Sequence, residues 1–287
     1  MSVGQEKMTS DTSAEIRFWE HRKLAEETFF MMGLMSAHSF KEVAWMQVYD
    51  TLHTVPRLFQ LWSCKQVMDI AGTNVNQAII IEGHDPHFPS CDHTLETCAH
   101  VLHCEEAVRV DTLHRLINWL NDWLKKVGTE PNLREGLVEY ARGRGNKTMD
   151  VITRGWGPGF QEMGHSQDKI LGWRRFMEGM MSKEIIPIQA DYVEIGACSI
   201  TLDAWLQGLI TKLLESTHGQ WLYCNVHVHD AIVGVEALAR KEEIQQFIED
   251  QLDLGEEGLD EKNHYLLEVN LEDLESTTGE EQHYWLL

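Results

Sequence analysis

The chain has 287 residues, of which 43% are hydrophobic and 24% are charged, and it holds 10 tryptophans and 12 methionines. A chain of this length and apolarity buries one or two cores, so the composition excludes disorder throughout. It has no run of about 18 apolar residues, which excludes a membrane-spanning helix. The first eleven residues lack the apolar stretch of a secretory signal. We therefore expect an intracellular protein with reduced thiols.

Charge is distributed unevenly along the chain. The formal net charge is −22 at pH 7, which argues against a general nucleic-acid binder because a phosphate backbone repels a net anion. Residues 241–287 carry 15 acidic and 2 basic side chains. By contrast, residues 131–183 carry 9 basic and 6 acidic side chains, so only this stretch has the local charge to attract phosphate.

The spacing of apolar residues predicts a mainly α-helical protein, a helical bundle, and the 6 prolines interrupt it rarely. The predicted helices of the first half run from Asp11 or Ser13 to Met32, from Ser39 through Tyr49, from Pro56 toward Gly72, from Leu95 to Lys126, and from Pro131 to Ala141. Ser39 and Glu42 have the spacing of a capping box. Gly128 is expected to end the long fourth helix.

A glycine-rich stretch around Gly155–Gly159 predicts a loop. The predicted organisation is a helical region over 1–142, a Gly-rich linker over 143–165, and a second helical region over 166–287 that ends in an acidic tail. In the second region, Ser166 is expected to cap one helix and Thr201 to open a long one. The acidic tail contains an amphipathic helical pattern with Ile244, Phe247, Ile248 and Leu252 on one side.

The chemistry is concentrated in residues 84–104, an irregular connection in which 8 of 21 residues are His or Cys. Zinc takes about four nitrogen or sulfur ligands in a tetrahedron. His100 and Cys104 are four residues apart, which places both on one face of a helix, and adding Cys98 requires that the helix begin at or after Cys98. The segment therefore predicts a zinc-knuckle-like loop. The predicted ligands are Cys91, Cys98, His100 and Cys104, with His87 or His103 as a substitute.

This segment resembles the zinc-binding segment found downstream of the polymerase domain in reverse-transcriptase-like proteins of retroelements, of the type found in diatoms and related algae. The matching residues are Pro89-Ser-Cys91, Glu96-Thr97, His100 and Cys104. Other segments extend the resemblance from about residue 40 to the end. They include Val55–Trp62, Ala71–Gln77, Ser166–Lys169, Gly172–Gly179 and Thr217–Tyr223. The resemblance implies a bound zinc ion and contact with RNA or DNA. The chain departs from the pattern at Phe88, where the family has its first cysteine.

The residues required for polymerase chemistry are absent from this sequence. Reverse transcriptases use paired aspartates to hold two metal ions, and no Asp-Asp pair occurs in the chain. No other nucleophile, general base or carboxylate pair stands out. We therefore expect a non-catalytic chain that, as the resemblance implies, holds RNA near a polymerase.

The predicted nucleic-acid contacts are the basic residues Arg142, Arg144, Lys147, Arg174 and Arg175. The alternative for this set is ion pairing with the acidic tail inside the molecule. A rival hypothesis for the whole chain is a helical protein-interaction or structural module that presents its acidic tail to a basic partner, without metal or nucleic acid. A third hypothesis is a metal hydrolase at His227 and His229, which follow a His-x-His pattern.

Overall fold

The structure is a computed structural model that describes residues 2–3, 6–7, 12–87, 91, 95–223, 246 and 250. Helices dominate it, as predicted. A short antiparallel pair, β1 (Ser2–Val3) and β2 (Glu6–Lys7), precedes them. The first helices are α1 (Thr12–Met31), α2 (Ala37–Glu42), α3 (Trp45–Thr54), α4 (Arg57–Val67), α5 (Asn74–Ile80), α6 (Cys98–His103) and α7 (Ala107–Val127). There follow α8 (Pro131–Gly143), α9 (Met149–Ile152), α10 (Pro158–His165), a π-helix (Ser166–Leu171), α11 (Trp173–Met177), α12 (Ile185–Glu194) and α13 (Leu202–Tyr223).

The capping box predicted at Ser39 is wrong. Ser36 caps α2 instead, because its hydroxyl accepts a hydrogen bond from the backbone N–H of Ser39 at 3.0 Å. The helix does not continue through Val43, which is extended and forms an isolated antiparallel bridge with Ser182. This long-range pairing breaks the predicted helix into α2 and α3.

The predicted helix from Leu95 to Lys126 is also divided, between α6 and α7. Glu106 caps the start of α7, because its carboxylate accepts hydrogen bonds from the backbone N–H groups of Val108 and Arg109 at 3.1 and 3.0 Å. The other predicted boundaries of this region are confirmed. Gly128 ends α7 in the left-handed conformation, with φ +83°, and Pro131 is the first residue of α8.

The apolar faces of α7, α8 and α13 form the centre of the core. Their fully buried aliphatic side chains are Ile117, Leu124, Leu133, Leu137, Leu206, Leu209 and Leu213. Each such side chain stabilises the fold by about 1.5–3 kcal/mol relative to an exposed position. Trp205, also buried, donates from its indole nitrogen to the hydroxyl of Thr129 at 2.8 Å, which ties α13 to the turn between α7 and α8.

Residues 143–165, predicted to be a Gly-rich linker, form helices that pack into the core. This stretch contains α9 and α10, and the buried side chains of Met149, Ile152 and Met163 belong to the same core as α7 and α13. The chain divides instead into a compact unit over Met1–Trp221 and a second unit over Leu222–Leu287. The glycines around 155 do form a turn, but Pro158 starts α10 directly after it.

No new helix begins at Ser166, where one was predicted to start. Ser166 continues α10 as the π-helix, which ends at Gly172 with φ +88° before α11 begins. The prediction that Thr201 opens a long helix is confirmed, because its hydroxyl accepts the backbone N–H of Ala204 at 3.2 Å before α13. Among the described residues, no helix is both long and apolar enough to cross a membrane.

Candidate metal centre

Three metal-binding side chains converge where the connection from α5 reaches α6. The Sγ atom of Cys91 lies 3.1 Å from Nε2 of His100. These two atoms and the Sγ atom of Cys104 all lie within 4.8 Å of one another. Cys104 is buried, and Cys91 is partly buried. Thiol and imidazole donors suit transition metals, so the group can hold a metal ion, and the predicted convergence of these three residues is confirmed.

The start of α6 places His100 and Cys104 on one face. Thr97 caps this helix, since its hydroxyl accepts the backbone N–H of His100 at 3.1 Å. The helix therefore begins at Cys98, as the proposed ligand spacing requires. His100 then lies in the helix, and Cys104, four residues later, is the C-cap residue with φ −58° and ψ 126°. The thiol and the imidazole are thus brought together by one helical turn.

The third donor, Cys91, comes from a segment that is closed against α5. The buried carboxylate of Glu96 accepts the backbone N–H of Asn74 at 2.7 Å. The Asn74 side-chain amide donates to the carbonyl of His87 at 2.9 Å, and the Glu96 N–H donates to the carbonyl of Pro86 at 3.0 Å. These bonds bring both ends of the segment together, which places Cys91 beside α6.

Cys98, also predicted as a ligand, does not belong to this group of three converging side chains. It lies two positions before His100 in the helix, and this spacing turns the two side chains to opposite sides of α6. The Cys98 thiol is buried and faces the Asn76 side chain, whose amide nitrogen is 4.0 Å from Sγ. Burial raises the pKa of Cys98 to about 11, so its thiol stays protonated at neutral pH.

The substitute ligands also lie outside the group. His87 is exposed and its ring is hydrogen-bonded to the carboxylate of Asp85. His103 packs its ring against that of Trp173, with centroids 4.7 Å apart. Burial, together with the positive charges of Arg144 and Arg174, lowers the pKa of His103. Phe88, at the position of the family's first cysteine, lies outside the described residues.

Arg174 and Arg175, two of the predicted nucleic-acid contacts, form ion pairs with acidic side chains. Both guanidinium groups bind the fully buried carboxylate of Glu178, at 2.8 Å from Arg174 and 2.7 Å from Arg175. Arg174 also pairs with Asp69, and Arg175 donates to the carbonyl of Val67 at 3.0 Å. Burial raises the pKa of Glu178, and the two arginines oppose that shift. Arg175 is buried and Arg174 is partly buried, so both side chains take part in an ion-pair network inside the fold.

The other three predicted basic residues lie at or just beyond the end of α8. Arg142 is exposed and donates to the side chain of Asn118. Lys147 is also exposed and pairs with Glu139. Arg144 is partly buried and donates to the carbonyl of Cys104 at 2.6 Å. Burial lowers the pKa of Arg144, and the negative charges of neighbouring groups oppose that shift. The sequence did not reveal this contact, because the two residues are 40 positions apart.

A partly buried histidine in an aromatic cluster was not identified from the sequence. The ring of His218, on α13, lies 4.4 Å from that of Trp62 and 5.1 Å from that of Phe59, both on α4. It stacks on Trp221 with centroids 5.7 Å apart. Burial lowers the pKa of His218 to about 4, so the ring is neutral at pH 7. Only the pattern of His218 and Trp221 on one helix face hinted at this cluster.

Two predictions fall outside the described residues, namely the hydrolase motif at His227 and His229 and the acidic tail over 241–287 with its proposed pairing. No known protein family, curated protein or solved structure matches this chain.

Proposed function

We propose that this chain is a non-catalytic, zinc-binding helical protein in which Cys91, His100 and Cys104 hold one zinc ion. The single observation that supports the proposal most directly is the convergence of two sulfur atoms and one imidazole nitrogen within 4.8 Å. A resemblance to the zinc-binding segment of retroelement reverse transcriptases points to the same metal. Zinc accepts this mixture of thiolate and imidazole ligands more readily than magnesium or calcium, which prefer oxygen.

The spacing of the donor atoms is compatible with a tetrahedral ion. Bonds of about 2.3 Å to sulfur and about 2.1 Å to nitrogen separate the ligand atoms of a tetrahedron by about 3.6–3.8 Å. The sulfur of Cys91 and Nε2 of His100 are 3.1 Å apart, and no pair in the group exceeds 4.8 Å. Shifts of less than about 1 Å would bring the three atoms to ligand distances.

When bound, zinc would supply a cross-link between the segment that contains Cys91 and α6. Cys91 belongs to the segment that Glu96 closes against Asn74 at the start of α5. His100 and Cys104 belong to the helix whose buried residues Val101 and Leu102 face the core. The ion would therefore hold the segment, and α5 with it, on the helical unit. Three protein ligands leave one coordination position, which Cys98 does not fill.

Native mass spectrometry of the full chain, with and without a chelator, tests this proposal. We expect one zinc ion per chain and its loss in the Cys104→Ser variant. Cys64→Ser is the matched control, because Cys64 is an exposed thiol on α4, remote in sequence from the group. Cys98→Ala should also keep the metal. A wild-type chain that retains no zinc after dialysis at pH 7, or a Cys104→Ser variant that retains as much as wild type, would overturn the proposal.

A second candidate function, contact with single-stranded RNA or DNA, is favoured by the position of Arg142 and Lys147. Both are exposed near the end of α8. The adjoining Arg144 contacts Cys104, so this end of α8 lies beside the metal centre. The pairing of Lys147 with Glu139 is partly exposed and is worth at most about 1 kcal/mol, which leaves the lysine available to phosphate.

A gel shift with single-stranded RNA at about 50 mM salt, where phosphate contacts are strong, tests this second candidate. We expect binding that weakens with added salt and is reduced when Arg142 and Lys147 are both changed to glutamate. Lys212→Glu, on α13, is the control for charge reversal at a single distant position. No shift at low salt rejects nucleic-acid contact and leaves the zinc proposal unaffected.

A further inference from the structure

We infer that Arg144 is the positioning residue of the metal centre and that its guanidinium group fixes Cys104 in the orientation that binds the ion. The inference rests on the proposed zinc site. Nη2 of Arg144 donates to the carbonyl of Cys104 at 2.6 Å and lies 3.5 Å from the carbonyl of Leu102. Arg144 therefore contacts the backbone of a proposed ligand and does not itself supply a metal-binding atom.

The end of α6 requires such a contact. The last four carbonyl groups of a helix have no partner within the helix, and Cys104 is the C-cap residue of α6. A cation at this end satisfies the free carbonyls and interacts favourably with the helix dipole. Since the backbone direction at Cys104 sets the direction of its thiol, the bonds from Arg144 hold that thiol toward His100.

The backbone of Arg144 supplies a second, independent observation. It adopts the left-handed conformation, with φ +49° and ψ +37°, at the C-cap of α8. Glycine or asparagine normally occupies a left-handed position after a helix, and other residues pay about 1–2 kcal/mol there. Asp69 is the only other non-glycine residue with positive φ in the part of the chain that the structure describes. The left-handed conformation directs the Arg144 side chain toward α6. The contact that the side chain makes there explains why arginine occupies a position that suits glycine.

The surroundings fix the turn that carries Arg144. The next residue, Gly145, has φ +79°, and a Cβ atom on it would lie 3.8 Å from the ring of His103 and 3.7 Å from Trp173. The indole nitrogen of Trp173 donates to the carbonyl of Ala141 in α8 at 3.2 Å. The end of α8 is thus packed on the end of α6, and the guanidinium group has a defined place beside Cys104.

The test compares zinc affinity in full-length variants at position 144, measured by competition with a chromophoric chelator. We expect Arg144→Gly and Arg144→Gln each to weaken zinc binding by about 10–100-fold, which is the effect of losing an outer partner of a metal ligand. Arg144→Lys, which keeps a cation, should recover part of the affinity. Arg142→Gln, which removes a neighbouring exposed arginine, should bind zinc as wild type does.

A Co²⁺ titration provides a readout that a merely structural role would not change. The sulfur-to-cobalt charge-transfer band reports how the thiolates are oriented, and we expect it to shift or weaken in Arg144→Gly although the metal-free variant retains its helical circular dichroism. If wild type binds zinc and both Arg144→Gly and Arg144→Gln bind it equally well, the positioning role is wrong and the zinc site stands. If wild type binds no zinc, the proposed function is wrong, and the role inferred for Arg144 is wrong with it. If Arg144→Gly does not fold, Arg144→Gln and Arg144→Lys decide between these outcomes.

Discussion

Nη1 of Arg175 lies 2.7 Å from Oε2 of Glu178, a carboxylate with no exposed surface. Glu178 binds Arg174 through its other oxygen, so one buried anion holds two cations. Arg175 in turn reaches the carbonyl of Leu34 at 2.9 Å and that of Val67 at 3.0 Å. This network connects α11 to the ends of α1 and α4. It therefore performs a structural task with residues that the sequence assigns to a nucleic-acid surface.

Loss of the Glu178 carboxylate should destabilise the fold strongly. Breaking a buried ion pair from one side costs about 3–5 kcal/mol, because the remaining charge stays buried without its partner. We expect Glu178→Ala to lower the free energy of unfolding by that amount in a urea titration followed by circular dichroism. The matched control is Glu215→Ala, which removes an exposed partner of Lys212 and should cost less than about 1 kcal/mol. Similar losses in the two variants would contradict the buried network.

Acid should weaken the packing around His218. Burial lowers the pKa of this histidine from its ordinary 6.5 to about 4, so the unfolded chain binds a proton more readily than the folded one. The contribution of neutral His218 to stability is then fully present above about pH 6.5 and is lost as the pH falls through about 4. We expect His218→Phe to reduce the loss of stability between pH 7 and pH 5 relative to wild type.

The measurement for His218 is the free energy of unfolding at both pH values, together with the ring proton shifts of His218 by NMR. His114→Gln, at an exposed position of α7, is the control for the loss of a histidine. A ring that titrates near pH 6.5 would show that His218 is not held in the apolar cluster.

Removal of the metal should lower the melting temperature through Cys104. A ligand present at about 100 times its dissociation constant adds about 2.7 kcal/mol to the stability of the folded state. We therefore expect a chelator to lower the melting temperature of the zinc-loaded wild type and to leave that of Cys104→Ser unchanged. Scanning calorimetry of both proteins makes the comparison. An equal decrease in the two proteins would mean that the chelator does not act through a metal ion bound by Cys104.

Glycine at position 128 should be indispensable for the turn after α7. Its φ is +83°, and an added Cβ atom would lie 2.3 Å from the carbonyl oxygen of Ala197. Gly128→Ala therefore combines left-handed strain of about 1–2 kcal/mol with a backbone clash. Gly33→Ala is the matched control, because Gly33 also has positive φ but nothing lies within 4 Å of the added atom. Thermal unfolding should show a clearly larger loss for Gly128→Ala, and equal losses would mean that the Ala197 segment yields freely.

Local patterns in the sequence predict much of the fold. Gly128 and Pro131 correctly predict the end of α7 and the start of α8, because these boundaries depend on the residues at the helix terminus itself. The predictions that fail depend on distant residues. Val43 leaves the helix to pair with Ser182, 139 positions away, and no local propensity encodes such a partner.

The candidate metal centre could likewise be predicted from the sequence only in part. The four-residue spacing of His100 and Cys104 identifies one half of it, since that geometry belongs to a single helix. Cys98 lies outside the group of three, because the density of cysteines in a sequence does not indicate which side of a short helix each thiol faces. The contact of Arg144 with Cys104 joins two helices whose packing is a property of the whole core, and it becomes visible only in the folded chain.

The way α13 closes on α7 also determines how the protein is best dissected. Arg109 donates to the carbonyl of Gln220 at 3.1 Å, and the Gln220 side chain returns a bond to the carbonyl of Arg109 at 3.3 Å. Cleavage within 143–165 would leave either fragment with half of an apolar interior facing water, and both would be expected to aggregate. A shortened form should therefore keep the compact unit that ends at Trp221 together with the last turn of α13, which ends at Tyr223.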